Sequence, residues 1–156
     1  MSYILHFLLW TFLLYWIHRL SHIVPWIKDI HYDHHEYVNT NEVGWHWSNL
    51  FLFNDTWKST FDLWITEVIP TIIMSLFVGW WLFIVYYLWA AFIQEYIEHN
   101  EKVSAYPFIT SGKWHMIHHR EDSKNFGLFI PVWDIIFKTN INITDHKYRG
   151  FTCQKH

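Results

Sequence analysis

Apolar positions fill long stretches of the chain, and the polar residues gather in the gaps between them. From Tyr3 to Ile17 the run is almost unbroken, with His6 as its one strongly polar residue. The pattern continues through His18 and His22 to Val24, where Val24-Pro25 predicts the end of a helix. About 22 residues at a 1.5 Å rise span the ~30 Å hydrocarbon core of a bilayer. His6 is expected to be hydrogen-bonded between helices, a full span away from the other histidines. Pro25 suits the first turn of a second, short helix that carries His31, His34 and His35.

Glu36 to Lys58 is polar and without a strong period. Its amphipathic aromatics Trp45, Trp47 and Trp57 place it along the membrane interface, with His46 as an interfacial residue. Ser59-Thr60-Phe61-Asp62 predicts a helix start, a capping hydroxyl followed three residues later by a carboxylate. Leu63 to Ile93 is nearly all apolar, and its ~46 Å as one helix would overrun a single span. Val78-Gly79 is the one plausible turn, which predicts a hairpin of two spans, roughly Phe61 to Phe77 and Trp80 to His99. Tyr106 to Gly112 reads as a loop, Lys113 to Glu121 as a helix and Asn125-Phe126-Gly127 as a turn. Ile130 to Phe137 is a short apolar segment expected to dock on the core. The fold class expected is therefore all-α, an integral membrane protein with about three transmembrane helices. Residues 1–139 form its domain and 140–156 a polar, poorly ordered tail in which His146 and His156 are solvated.

Composition supports the membrane reading. The chain is 52% hydrophobic and 22% aromatic, with 12 Trp and only 16% charged residues, which is too apolar for an ordinary soluble domain. A net charge of −3 and no Lys/Arg run exclude nucleic acid as a partner. The single cysteine, Cys153, excludes an internal disulfide and a Cys-based zinc motif. No basic segment precedes the first apolar run and no small-residue cleavage site follows it, so that run is expected to stay in the membrane. All 11 Lys/Arg residues lie outside 1–17 and 59–101, which puts the histidine-rich segments on the cytoplasmic side. The N-terminus and the Val78-Gly79 turn then face the other side. The membrane would be the plasma or inner membrane of a bacterium, or the endoplasmic reticulum of a eukaryote.

The chemistry lies in histidine. His31-Tyr32-Asp33-His34-His35 and His115-Met116-Ile117-His118-His119 share one His-x-x-His-His spacing, and His18-Arg19-Leu20-Ser21-His22 adds an i, i+4 pair. With 13 histidines in the chain, chance supplies about 0.1 copies of the triplet. Positions i, i+3 and i+4 share a helix face, so each triplet presents its imidazoles in one direction. With His99 the set exceeds the needs of one ion, and neutral imidazole is the commonest metal ligand, so the reading is a two-metal site. Ligating imidazoles need a partner on the second ring nitrogen. Asp33, Glu36, Glu98, Asn100 and Asp122 are adjacent candidates, and Asn125 is a further candidate partner or ligand. Glu95, one turn before His99, is either such a partner or a direct oxygen ligand.

These elements resemble the fatty acid hydroxylase superfamily of membrane di-iron enzymes, the sterol desaturase and sterol methyl oxidase relatives in particular. The matching residues are His18-x-x-x-His22, His31-x-x-His34-His35, His99-Asn100 and His115-x-x-His118-His119. Asn125-Phe126-Gly127 and Trp133-Asp134-x-x-Phe137-x-Thr139 resemble the trailing signatures. The resemblance implies two iron ions, replaceable by zinc in purified protein, and hydroxylation or desaturation of a lipid with O2. It also implies two electrons from an external donor of the cytochrome b5 or ferredoxin type. Four departures stand out. Glu95 occupies a position where many members carry histidine, and Thr66-Glu67-Val68-Ile69-Pro70 stands in the region of a His-Pro-x-Glu element. Phe137-Lys138-Thr139 replaces Phe-Gly-Thr, and the chain is short, as if lacking an N-terminal pair of spans. Compact carotenoid hydroxylases are similarly small, but their His-Asp-x-x-x-His element is not matched by Glu95 to Asn100. A histidine-rich haem- or metal-binding membrane protein is the non-enzymatic alternative. Paired mid-membrane histidines would suit haem and a ligand-lined path would suit transport, whereas here the nine sit at one face.

Overall fold

The computed structural model describes residues 2–54, 56–104 and 108–141. Among them there are helices and irregular segments but no β-strand. The expected tail, with His146, Cys153 and His156, lies outside the described residues from position 142 on.

Helix α1 (Tyr3–Ser21) is capped by the Ser2 hydroxyl, which accepts from the Leu5 amide, and ends at His22. Helix α2 (Pro25–Thr40) begins at its proline, as expected. It runs further than the short helix predicted, because Val38 continues the buried stripe of His31 and His35 at helical spacing. A 3₁₀ turn, Trp47–Phe51, follows, and His46 caps it by accepting from the Ser48 amide. The next helix starts earlier than the Ser59 motif suggested. Thr56 is the cap, its hydroxyl accepting from the Ser59 amide, and Ser59 is buried in the first turn of α3 (Trp57–Leu63).

Helix α3 passes without a break through a π-helical turn, Trp64–Val68, into α4 (Ile69–Val78). Pro70 has no N–H for the usual bond four residues back. The ladder slips just before it, and the Ile69 amide reaches back to the Trp64 carbonyl. Gly79, at φ 105°, ends α4 and reverses the chain, as the hairpin reading required. Helix α5 (Trp81–Trp89) then runs back and continues as a second π-helical stretch, Ala90–Glu98.

Helix α1 and the Trp81–Glu98 helix run parallel, and the Trp57–Val78 helix runs antiparallel to both. Tyr3 meets Trp81 edge-on at one end (ring centroids 5.2 Å), and the Trp10 indole donates to Thr71 Oγ1 (2.9 Å) halfway along. His18, His22 and His99 therefore end up together at the other end. Two helices, Tyr3–Ser21 and Trp57–Val78, are long and apolar enough to cross a membrane. Trp81–Glu98 is less apolar because Gln94, Glu95 and Glu98 occupy its last turns. In a bilayer, burial of apolar surface does not drive helices together, so hydroxyls and small residues at the contacts matter more. Thr71 and Ser75 are buried there, and the Ser75 hydroxyl donates to its own helix at the Thr71 carbonyl. Leu5, Leu9, Ile73, Leu76, Ile84 and Leu88 point outward.

Two short helices close the open end. Helix α6 (Lys113–Arg120) is buried along most of its length, and α7 (Val132–Ile136) docks on α1. Trp133 packs on Phe12 and donates to Thr11 Oγ1 (3.1 Å), and Phe137 stacks on Tyr15.

Candidate metal centre

The fold gathers nine histidines into two adjacent groups, and it splits each triplet between them. His18, His22, His31, His35 and His118 offer donor atoms within 4.8 Å of one another, and so do His34, His99, His115 and His119. The i, i+4 members of a triplet, His31 with His35 and His115 with His119, share a group. The i+3 member, His34 or His118, reaches across to the other. Helices α2 and α6 therefore each tie the two groups together. The His18–His22 pair completes the first group to five. Its counterpart in the second group would be residues 95 and 99, and position 95 is glutamate, so that group stops at four.

The donor nitrogens are close. His22 Nε2 lies 3.0 Å from His31 Nε2 and 3.2 Å from His118 Nε2, His35 Nε2 lies 3.1 Å from His31 Nε2, and His115 and His119 approach to 2.9 Å. A metal–nitrogen bond of about 2.1 Å puts ligands at right angles about 3.0 Å apart, a spacing that these donors match. The opposite ring nitrogens fix the tautomers. His31 Nδ1 donates to Asp62 Oδ2 (2.9 Å), His118 Nδ1 to the Lys124 carbonyl (2.6 Å) and His18 Nδ1 to the Phe126 carbonyl (2.8 Å). On neutral rings Nε2 then carries the lone pair. His22 has one Nε2 proton at most to share between His31 and His118. Burial, and after it the neighbouring imidazoles, pushes His34, His35, His115, His118 and His119 well below the ordinary imidazole range. Protonation therefore cannot resolve the convergence, but a cation can, and the donor set fits a metal ion in each group.

The acidic groups beside the histidines are Glu95 and Glu98, which the sequence suggested, and Asp62, which it did not. Asp62, one turn into α3, holds His31, and nothing in the sequence near His31 announces it. Glu98 Oε1 is 3.6 Å from His115 Nδ1. Glu95 Oε2 faces His99 Nδ1 at 3.0 Å, and its Oε1 accepts from Asn54 Nδ2 at 2.9 Å. Asp33, Glu36, Asn100 and Asp122 have other roles. Asp33 is two residues beyond His31, on the opposite side of α2, where it pairs with Lys58 (2.9 Å). Glu36 is exposed. Asn100 accepts from the Lys102 amide and donates to the Tyr96 carbonyl, and Asp122 accepts from the Tyr32 hydroxyl. His6 lies apart from both groups, and its buried Nδ1 has no hydrogen-bond partner among the described residues.

The Asn125-Phe126-Gly127 turn and the Trp133–Thr139 segment act together. Asn125 is buried in the left-handed region (φ 55°), donating to the Trp114 carbonyl and accepting from the Ile141 amide. The Asp134 carboxylate accepts from the amides of Phe126 (2.8 Å) and Gly127 (2.9 Å) and from the Thr139 hydroxyl (2.8 Å). A Cβ at Gly127 would stand 2.7 Å from the Ile130 carbonyl oxygen and 2.8 Å from Asp134 Oδ2, which accounts for the glycine. This clasp aims the Phe126 carbonyl at His18.

Two spaces adjoin the histidines. An open cleft of about 520 Å³, walled by Lys28, Tyr32, Asn39 and Asp122, reaches His35 and His119. A cavity of about 20 Å³ lies on the other side, between the two groups and the long helices.

Comparison with known proteins agrees with these features. The fatty acid hydroxylase family profile matches residues 3–139. The chain is similar to the Delta(7)-sterol 5(6)-desaturase erg3B of Aspergillus fumigatus, 26% identical over 125 residues, which is 80% of this chain and 35% of the relative. It is also similar to erg3A, the Delta(7)-sterol 5(6)-desaturase of the same fungus, 28% identical over 123 residues, 79% of this chain and 32% of the relative. The chain thus spans about a third of the length of these curated relatives. No solved structure matches it.

Proposed function

The chain belongs to the fatty acid hydroxylase family, and from that premise we propose that it is a membrane-bound di-iron oxygenase, using O2 and two external electrons to hydroxylate or desaturate a lipid. The observation that carries this reading is the division of nine histidines into adjacent groups of five and four donors. The first group would hold one iron and the second the other. Iron there would supply reduction of dioxygen and removal of hydrogen from an unactivated C–H bond. Neutral ligands leave the positive charge of the ions uncancelled, and zinc would suit the same donors in purified protein.

The protein's own part is to hold nine rings still and dry. Asp62, Glu95 and the carbonyls of Lys124 and Phe126 keep the tautomers in place. Burial keeps bulk water from most of the donors. A lipid would approach from the bilayer along the outward apolar faces of the long helices, recognised by shape because few polar groups line them. The open cleft beside His35 and His119 supports an approach for the electron donor, of cytochrome b5 or ferredoxin type, from the aqueous side.

The reading includes a third span, Trp81–Glu98, whose helix is about 27 Å long. It places the metal end in the cytoplasm, from the Lys/Arg distribution. Cysteines introduced at Gly79 and Ser123 should label from opposite sides of the membrane, and labelling from one side would refute the topology. The sterol desaturases among the relatives favour a sterol-like or acyl lipid, with a carotenoid as the runner-up. Lipid analysis of a host expressing the protein, set against a His118→Ala control, tests the activity. An oxygen-dependent hydroxylated or newly unsaturated lipid, absent in the control, is expected. Identical lipid profiles under conditions of full metal loading would overturn the reading.

A further inference from the structure

The two histidine groups are unequal, and the inequality faces one small space. The cavity of about 20 Å³ is lined by all four histidines of the second group but by only His18 and His31 of the first. That volume accommodates about one water molecule. Its opposite wall carries Glu67 and Gln94.

Glu67 stands out among the buried carboxylates. Asp62 is engaged by His31, Glu95 by His99 and Asn54, and Glu98 lies against His115. Among the described residues, Glu67 bonds to no histidine. It is 6% exposed, and Gln94 Nε2 donates to its two oxygens at 3.2 and 3.4 Å. A carboxylate this deep in an apolar helix is costly unless it serves a site. Its placement depends on the π-helical turn at Trp64–Val68. An α-helix would turn residue 67 roughly 140° away from Asp62. The wider turn, with its bond from Ile69 N to Trp64 O, brings Glu67 round to the side that Asp62 and Thr66 share.

We propose that Glu67 anchors a solvent ligand in this cavity, giving the four-histidine metal position an exchangeable oxygen donor while the five-histidine position is closed by imidazoles. The inference rests on the reading that both groups hold metal. Solvent there has a carboxylate acceptor, the Gln94 amide and the metal as partners, which are enough to fix a buried water. The exchangeable position is then on one metal only, on the side facing the long helices and the lipid.

Cobalt(II) tests this without requiring turnover, because its visible absorption strengthens several-fold when coordination falls from five to four. The full chain in detergent is loaded with cobalt as wild type, Glu67→Leu and Glu67→Gln, with helicity checked by circular dichroism. Two cobalt ions per chain are expected in all three. Glu67→Leu should show the stronger band of a four-coordinate ion, and Glu67→Gln, which still binds water, the wild-type spectrum. Two ions with the same spectrum in all three proteins would overturn the role of Glu67 and leave the metal centre standing. Loss of an ion from folded Glu67→Gln would make Glu67 a direct ligand and would also overturn it. Fewer than two ions in the wild type would remove the metal reading itself.

Discussion

Glu95 Oε2 lies 3.0 Å from His99 Nδ1, while Oε1 is held by Asn54. The carboxylate thus stands where the family resemblance implies a histidine, and its two oxygens are engaged by His99 and Asn54.

The consequence is that Glu95→Ala keeps both metals and loses 10- to 100-fold in metal affinity or activity, roughly the effect of removing such a partner. Glu95→Gln should lose less, because its carbonyl still accepts from His99. Metal titration of folded protein decides. A clean drop from two ions to one in Glu95→Ala would mean direct ligation.

Asp134 acts on the centre at one remove. It secures the amides of Phe126 and Gly127, and the Phe126 carbonyl receives the His18 proton. Asp134→Ala would leave buried amides without acceptors and should cost roughly 2–4 kcal/mol of stability. First-group metal affinity should fall with it. Thermal unfolding in detergent with parallel metal titration checks both, and an unchanged midpoint would contradict the clasp.

Lys138 replaces the glycine of the related Phe-Gly-Thr signature and sits at φ 56°, in the left-handed region. Lys138→Gly should therefore stabilise the protein by roughly 0.5–1 kcal/mol, and Lys138→Val should destabilise it. A lowered midpoint for the glycine variant would refute the strain argument.

Acid should weaken the metal-free protein. Burial holds His34, His35, His115, His118 and His119 well below the ordinary imidazole range, whereas in the unfolded chain they titrate near 6.5. Below about pH 6.5 the unfolded state takes up protons that the folded state refuses, so stability falls with pH until the folded values are reached. Bound metal should extend stability to lower pH. Midpoints between about pH 8 and pH 5 test this, and a midpoint that rises on acidification would contradict it.

Much of this was legible in the sequence because the signals were local. Pro25 marked the start of α2, Gly79 marked the hairpin, and the His-x-x-His-His spacing marked the ligand-bearing helices. What was not legible depends on contacts far apart in the chain. Asp62 meets His31 only after the segment through Trp57 folds back onto α2, so adjacency pointed instead to Asp33, which lies on the wrong face. The division of each triplet between two groups needs α2 and α6 facing each other. Glu67 reads as a lone polar residue in an apolar run until a π-helical turn rotates it, and periodicity does not disclose such a turn. Thr56, rather than Ser59, caps α3 because both offer hydroxyls and only packing chooses between them.

The two histidine groups are proposed to hold two irons. Anaerobic reconstitution of the full chain with Fe(II), followed by iron analysis and an absorption spectrum, tests it most directly. Two irons per chain are expected, bound without haem, with fewer bound by His118→Ala. One iron or none in folded protein, or a Soret band, would contradict it.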